Sequence, residues 1–241
     1  MAGGYARHRR ADPRLALALR AALGEAHGVV LNVGAGGGSY EAELGVGLAI
    51  EPSPQMIAGR PGGAAPCLRG VAEALPVGDG AVEVAVALLT VHHWRDRAVG
   101  LRELARVSRR QVIFTWDPAY RSTFWFATEY LPRALLDADS ARFPPLRELR
   151  AALPRARSVP VPIPADCADG FLGAYWRRPE SLLDAEVRAG ISVLAQAPPG
   201  LVEPALRRLE EDLRSGAWRE RHGELLALSH LDLGYRIVVA G

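Results

Sequence analysis

"VVLNVGAGGGSYE", Val29–Glu41, runs a β-branched stretch straight into glycines and then into polar, helix-forming residues. A strand, a tight loop and a helix in that order form the junction at which open α/β folds hold their ligands. Glycine suits such a loop because it adopts positive φ without strain and lets the backbone come close to a ligand. The glycines here are spaced GxGxG, at Gly34, Gly36 and Gly38. A phosphate-gripping P-loop needs Gly-Lys-Ser/Thr, and all 29 basic residues of this chain are arginine. The dinucleotide pattern GxGxxG would need its third glycine where Ser39 stands. By itself the loop fits a ligand cradle or a plain tight turn.

Elements on both sides extend the alternation of strand and helix. Residues 12–24, "DPRLALALRAALG", read as a helix capped by Asp12, opened by Pro13 and closed by Gly24. Strands are predicted at Gly28–Val33, Val46–Glu51, weakly near Pro66–Arg69, at Ala81–Leu89 and at Gln111–Trp116. Helices at "SYEAELG", "PSPQMIAGR" and "RDRAVGLRELARVS" lie between them. This rhythm predicts a mostly parallel sheet with helices on both faces. Glu51 ends the second strand, where a carboxylate can accept from both hydroxyls of a ribose; an acid preceding the next helix is the plainer reading.

After Asp117 the alternation stops. Residues 118–153 are aromatic-rich and mostly helical. "RSVPVPIP", Arg157–Pro164, reads as one strand near a sheet edge, because Pro160 and Pro162 lack amide donors. Residues 167–230 read as several helices, and "LGYRIVVAG" closes the chain as a strand. The expectation is a single domain over 1–241, with core segments 12–117, 144–164 and 231–241. A helical cap is inserted at 118–143 and 167–230.

Composition sets bounds on function. With 49% hydrophobic residues the chain can fill a core, which argues against disorder. The net charge is +2 with both signs interspersed, and the clusters "RHRR" and "WRRPE" are too short for the basic stripe a polynucleotide needs. No nucleic-acid partner is expected. Apolar runs are too short for a membrane span, and "MAGGYARHRRADPR" lacks the apolar stretch of a secretory signal. No membrane association and a cytoplasmic location are the expectation. Cys67 and Cys167 lie far apart, in neither a disulfide framework nor a CxxC pair. The adjacent side chains of His92 and His93 point apart and have no HxxxH or cysteine partner nearby, so no metal is expected.

The segment "VAEALPVGDGAVEVAVALLTVHHW", Val71–Trp94, resembles class I S-adenosylmethionine-dependent methyltransferases of the type-11 group. In that group an "AExLP" turn precedes the fourth strand and "HHW" follows it. The resemblance continues through "LRELARVSRRQVIFTWDP" and spans residues 28–118. The ends, through "YARHRRADPR", "VPIPADCADGF", "WRRPE" and "LGYRIVVAG", are similar to an actinobacterial-type subgroup. The resemblance implies an α/β, Rossmann-like class I methyltransferase sheet, mostly parallel with its last strand antiparallel, under an inserted helical cap. It implies S-adenosyl-L-methionine as cofactor and S-adenosyl-L-homocysteine as product.

Carried over residue by residue, the resemblance assigns Gly34, Ala35, Gly36 and Gly38 to the methionine and ribose moieties and Glu51 to the ribose diol. Pro52 and Met56 fall beside the adenine, and Ala72 and Glu73 in the adenine-end turn. Leu88 would offer its carbonyl to the methionine ammonium. Tyr5 and Arg10 would close over the cofactor from the N-terminal segment. Two positions depart from the family pattern. Asn32, also assigned to the cofactor, stands where an aspartate is usual, so it can hydrogen-bond but offers no negative charge to the ammonium end. Val71 stands where many relatives carry an acid for the adenine amine.

Acid–base chemistry has three candidates, His93, His92 and Asp117. A histidine titrates near neutral pH, and packing under the following helix is the alternative use of the pair. Asp117 follows the fifth strand at the ligand edge; capping before Pro118 is its alternative. The aromatics Trp116, Tyr120, Phe124, Trp125, Phe126, Tyr130, Tyr175 and Trp176 divide between core and an acceptor pocket. No GxSxG elbow supports a serine hydrolase. The expected function is methyl transfer to a nucleophilic N, O, S or C atom of a small-molecule acceptor, in secondary metabolism, by a monomer or homodimer. The alternatives are a repurposed, non-catalytic S-adenosylmethionine-binding protein and a nicotinamide-dependent oxidoreductase.

Overall fold

The computed structural model describes residues 10–241. In chain order the strands are β1 (Val30–Val33), β2 (Val46–Glu51), β3 (Cys67–Arg69), β4 (Val82–Leu88), β5 (Ser108–Trp116), β6 (Arg157–Pro160), β7 (Ile163–Pro164), β8 (His230–Leu231) and β9 (Tyr235–Ala240). Seven of them form one sheet in the order β3-β2-β1-β4-β5-β9-β6. β1 to β5 run parallel, and β9 is antiparallel to both β5 and β6. All four residues of β1 and all six of β9 are buried. Strands covered on both faces are apolar at nearly every position, which is why "VVLNV" and "YRIVVA" show no alternation; their polar residues, Asn32 and Arg236, are buried too.

By contact the described residues divide into two compact units. The sheet unit comprises Ala11–Pro118, Arg142–Val161 and Tyr235–Gly241; the helical unit comprises Arg10, Ala119–Ala141 and Pro162–Gly234. In the sheet unit the helix Pro13–Leu23 starts as its residues dictate. The Asp12 carboxylate accepts the Arg14 amide at 2.9 Å, Pro13 fills the first turn, and Gly24 leaves it at φ +71°. The helix Arg97–Val107 is capped by Asp96, which accepts the Val99 amide at 3.0 Å. Its Leu101, Leu104 and Val107 are buried in the core with Leu31, Ile50, Ile113, Leu149 and Leu153.

One expected strand is two. β6 pairs with β9 as far as Pro160, the Val161 amide still donates to the Tyr235 carbonyl at 2.9 Å, and Pro162 then has no amide to continue the ladder. Ile163–Pro164 pairs instead with β8 in a separate two-stranded sheet of the helical unit.

The helical unit is built around aromatics. Trp176 and Phe126 are fully buried, and Trp125 meets Trp218, Tyr130 and Phe126 edge-on. Two of the indoles bond inside the unit: Trp125 donates to the Trp176 carbonyl at 2.8 Å and Trp176 to the Ile163 carbonyl at 3.0 Å. The Tyr130 hydroxyl donates to Asp212 at 2.7 Å, and burial together with that carboxylate pushes its pKa up to about 12. No helix among the described residues is long and apolar enough to cross a membrane.

The helix Leu146–Ala152 is held to the sheet unit by Leu149, which is fully buried in the core. Leu149→Ala is expected to cost about 2–5 kcal/mol, the usual range for a leucine-sized cavity. Denaturant unfolding measures it, and a loss below about 0.5 kcal/mol would mean that the helix is not part of the core.

Candidate functional site

Parallel strands bring their carboxyl ends to one edge, and the order reverses at β1, which lies between β2 and β4. The loops that meet at that edge follow β1, β2, β4 and β5. Gly34 and Ala35 both donate their amides to the Ile50 carbonyl, at 2.8 and 3.0 Å. The next amide, that of Gly36, donates to Glu51 Oε2 at 2.8 Å, and the Ser53 amide to Glu51 Oε1 at 3.0 Å. Position 34 needs glycine, because its φ is +71° and any β-carbon there would lie 2.1 Å from Thr90 Oγ1. The glycine loop therefore rests directly on the turn after β4.

These residues fit a nucleoside. Each Glu51 oxygen accepts one backbone amide, which leaves each a lone pair for a ribose hydroxyl. The two amides also fix the carboxylate, which is only 7% exposed. A β-carbon on Gly36 would enter the space facing the Met56 methyl, 3.4 Å away, and one on Gly37 would meet nothing. Met56 is half-buried and Pro52 exposed beside this loop.

The remaining expected cofactor residues take different places. Asn32 is buried, 4% exposed, and donates to Glu41 Oε1 at 3.0 Å, so its amide points beneath the loop. Ala72 is buried in the turn after β3, while Glu73 accepts the amides of Arg95 and Asp96, at 2.7 and 3.1 Å. That carboxylate ties the turn to the start of the following helix. Leu88 ends β4 half-buried, and Leu89 after it takes φ +49°, a left-handed conformation that costs a non-glycine residue energy. Tyr5 lies outside the described residues. Arg10 belongs to the helical unit, where it lines a cavity of about 440 Å³ with Asp166, Tyr175, Arg178 and Glu186.

The acid–base candidates also lie at the carboxyl edge. His92 and His93 form a turn directly after β4. The His92 ring stacks on Phe143 at 4.0 Å, and Phe143 meets Trp116 edge-on at 5.2 Å. Arg142 lies 2.9 Å from His93 Nδ1. A guanidinium only donates, so Nδ1 accepts and the neutral His93 carries its proton on Nε2. Asp117 is buried, directly after β5. Of the aromatics expected to divide between core and pocket, Phe124, Trp125, Phe126, Tyr130 and Trp176 are buried core of the helical unit, and Tyr175 faces its cavity.

Sequence reasoning missed Thr90, Leu89, Glu41, Arg60, Glu103 and Arg142. Glu103 accepts the Leu75 amide at 2.8 Å and pairs with Arg106, which donates to the Val77 carbonyl at 2.9 Å. Together they anchor the "AEALP" turn. In an arginine-rich chain a single charged residue on a helix gives no signal, so only folding distinguishes these from solvated charges.

A sheet of this order, with a glycine loop after β1 and an acid closing β2, defines a Rossmann-like nucleoside-binding fold. The family model described as "Methyltransferase domain" matches residues 31–115. The chain is 33% identical to a putative methyltransferase from an antibiotic biosynthesis pathway of Anabaena variabilis, with 98% of this chain and 99% of that one covered and a TM-score of 0.89. The fold alone is shared with the YcgJ protein of Bacillus subtilis, at 18% identity, 94% and 96% coverage and a TM-score of 0.54. It is likewise shared with geranyl diphosphate C-methyltransferase of Streptomyces coelicolor, at 18% identity, 94% and 74% coverage and a TM-score of 0.51. Among curated proteins none matches the chain. The chain belongs to the class I S-adenosylmethionine-dependent methyltransferases of the type-11 group, and S-adenosylmethionine is its cofactor. The nicotinamide-dependent alternative falls with that membership.

Two outcomes follow from the loop contacts. Gly34→Ala combines a left-handed φ with a collision on Thr90, and is expected to cost at least about 1–3 kcal/mol in denaturant unfolding. Hydrogen bonds from Arg106 hold the Glu103 carboxyl below the usual carboxylate range. Its stabilisation is therefore present above the unfolded-state value of about 4.3 and is lost as pH falls through the lower folded-state value. Glu103→Gln should be less stable than the wild type at neutral pH, with the gap closing in acid. A gap that is constant with pH would show that the ionised carboxylate is not what anchors the turn.

Proposed function

We propose that the chain methylates a small-molecule acceptor in secondary metabolism, with the cofactor nucleoside on the glycine loop. The observation that carries this is Glu51, held by two backbone amides beside Gly36 with a lone pair free on each oxygen. In this assignment Gly34, Ala35, Gly36 and Gly38 take the methionine and ribose, and Glu51 takes the diol. Pro52 and Met56 flank the adenine, Ala72 and the Glu73 turn close its far end, and the Leu88 carbonyl takes the ammonium. The Anabaena relative, described as belonging to an antibiotic biosynthesis pathway, supports the metabolic setting.

When bound, S-adenosylmethionine supplies an electrophilic methyl group on its sulfonium. The chain's own work is alignment of the acceptor nucleophile and exclusion of water. An acceptor that must lose a proton has His92 and Asp117 at the same edge. His93 is less suited, because protonating its Nδ1 would displace Arg142 and set two cations side by side. His93→Gln is accordingly expected to keep turnover within about threefold. A fall of about 10²–10⁴ at unchanged cofactor affinity would instead make His93 the base.

Glu51→Ala should weaken S-adenosylmethionine and S-adenosylhomocysteine by about 1.5–3 kcal/mol, the range for a lost charged hydrogen-bond partner. Gly36→Val should abolish binding, since its side chain fills the space facing Met56 at a φ of +53°. Calorimetry giving wild-type affinity for both variants would remove the site.

A further inference from the structure

Beneath the glycine loop lies a buried polar cluster that makes none of the assigned cofactor contacts. The Arg60 and Glu41 side chains are 5% and 2% exposed and form an ion pair. Arg60 also donates to the Gly36 carbonyl at 3.1 Å and to the Ala65 carbonyl at 3.0 Å. Glu41 accepts the Ala65 amide at 3.0 Å and, on its other oxygen, the Asn32 side-chain amide at 3.0 Å. A β-carbon on Gly38 would lie 2.9 Å from Glu41 Oε2 and 3.2 Å from Arg60, so the loop lies directly on the pair.

The peptide groups on both sides of Gly36 are thus pinned by opposite means. Its amide is held by the Glu51 carboxylate and its carbonyl by the Arg60 guanidinium. We infer that Asn32, Glu41 and Arg60 are positioning residues that set the cofactor affinity of the glycine loop, and that an amide at position 32 gives the Glu41 carboxylate a donor where a second carboxylate would oppose it. The inference rests on the assignment of the cofactor to this loop.

The charge count accounts for an amide at position 32. One carboxylate and one guanidinium balance in a site almost closed to water. An aspartate at position 32 would put a second carboxylate oxygen where the donor now lies, 3.0 Å from Glu41. Two carboxylates so close take up a shared proton or repel. The other charged or titratable groups coupled to the cluster are Glu51 on β2 and the Cys67 thiol on β3, which burial raises above its usual range. Arg60 is paired with Glu41 and acts on the Cys67 thiol as well.

The experiment is calorimetry of S-adenosylmethionine binding against pH for the wild type, Asn32→Asp, Asn32→Asp/Glu41→Gln and Glu51→Ala, with melting temperatures recorded alongside. Asn32→Asp should bind about tenfold more weakly near about pH 8.5 and recover to within about threefold near about pH 6, where the shared proton restores a donor. The double variant again holds one carboxylate and one amide, and should stay within about threefold of wild type throughout. Wild-type affinity of Asn32→Asp near about pH 8.5 overturns the inference, as does a pH-independent loss that the double variant does not recover. Arg60→Lys asks the same question should Asn32→Asp fail to fold. It keeps the charge but loses the fork that reaches both carbonyls, and should bind about tenfold more weakly. Unaltered affinity would overturn the proposal. Full affinity in Glu51→Ala removes the cofactor from this loop altogether, whereas a weak Glu51→Ala beside a normal Asn32→Asp removes only the role of the cluster.

Discussion

The Ile50 carbonyl, at the end of a strand paired on both sides, accepts the amides of Gly34 and Ala35 together. That double acceptance bends the chain out of β1 and across the end of β2, which brings the Gly36 amide to Glu51. A left-handed Gly34 is the condition for it, because Thr90 occupies the only place a side chain could go. Three loops that are distant in sequence are thereby placed by two peptide amides and the absence of one β-carbon. A β-carbon at Gly34 would disturb all three at once.

Charge in this region is arranged so that each ionised group holds backbone. Arg60 reaches two carbonyls, Glu51 two amides, Glu73 two amides, and Glu103 with Arg106 the amide and the carbonyl of Leu75 in the "AEALP" turn. Exposed ion pairs contribute little to stability, whereas a buried pair left half-broken is costly. The buried pair Glu41–Arg60 lies directly against the glycine loop. The more exposed Glu103–Arg106 pair anchors a turn at a neighbouring edge, where solvent screening is tolerable.

Methyl transfer asks little covalent chemistry of a protein, because the methyl group arrives on a good leaving group. Alignment is what the fold provides, and that accounts for a site made mainly of backbone and one carboxylate. The histidine turn fits the same view. The His92 ring packs on Phe143 and Arg142 engages His93 Nδ1, so both rings are built into the wall of that edge.

The sequence by itself determined the fold class, because its apolar runs and helix caps are local and strong. "VVLNV", "VEVAVALL" and "QVIFTW" can only be buried strands, and Asp12, Pro13 and Asp96 start helices wherever they stand. Gly34, Gly36, Gly38 and Glu51 were legible for a related reason: positive φ and an acid at a strand end leave marks in composition and spacing. Tertiary structure decided the rest. Glu41 and Arg60 look like ordinary helix-surface charges until folding removes water from both, and Asn32 looks like a lost acid until its neighbour is known to be a carboxylate. Arg157–Pro164 reads as one strand because periodicity records which faces are apolar, while the partner of each backbone amide is chosen in space. Pro162, which has none to offer, therefore divides it between two sheets.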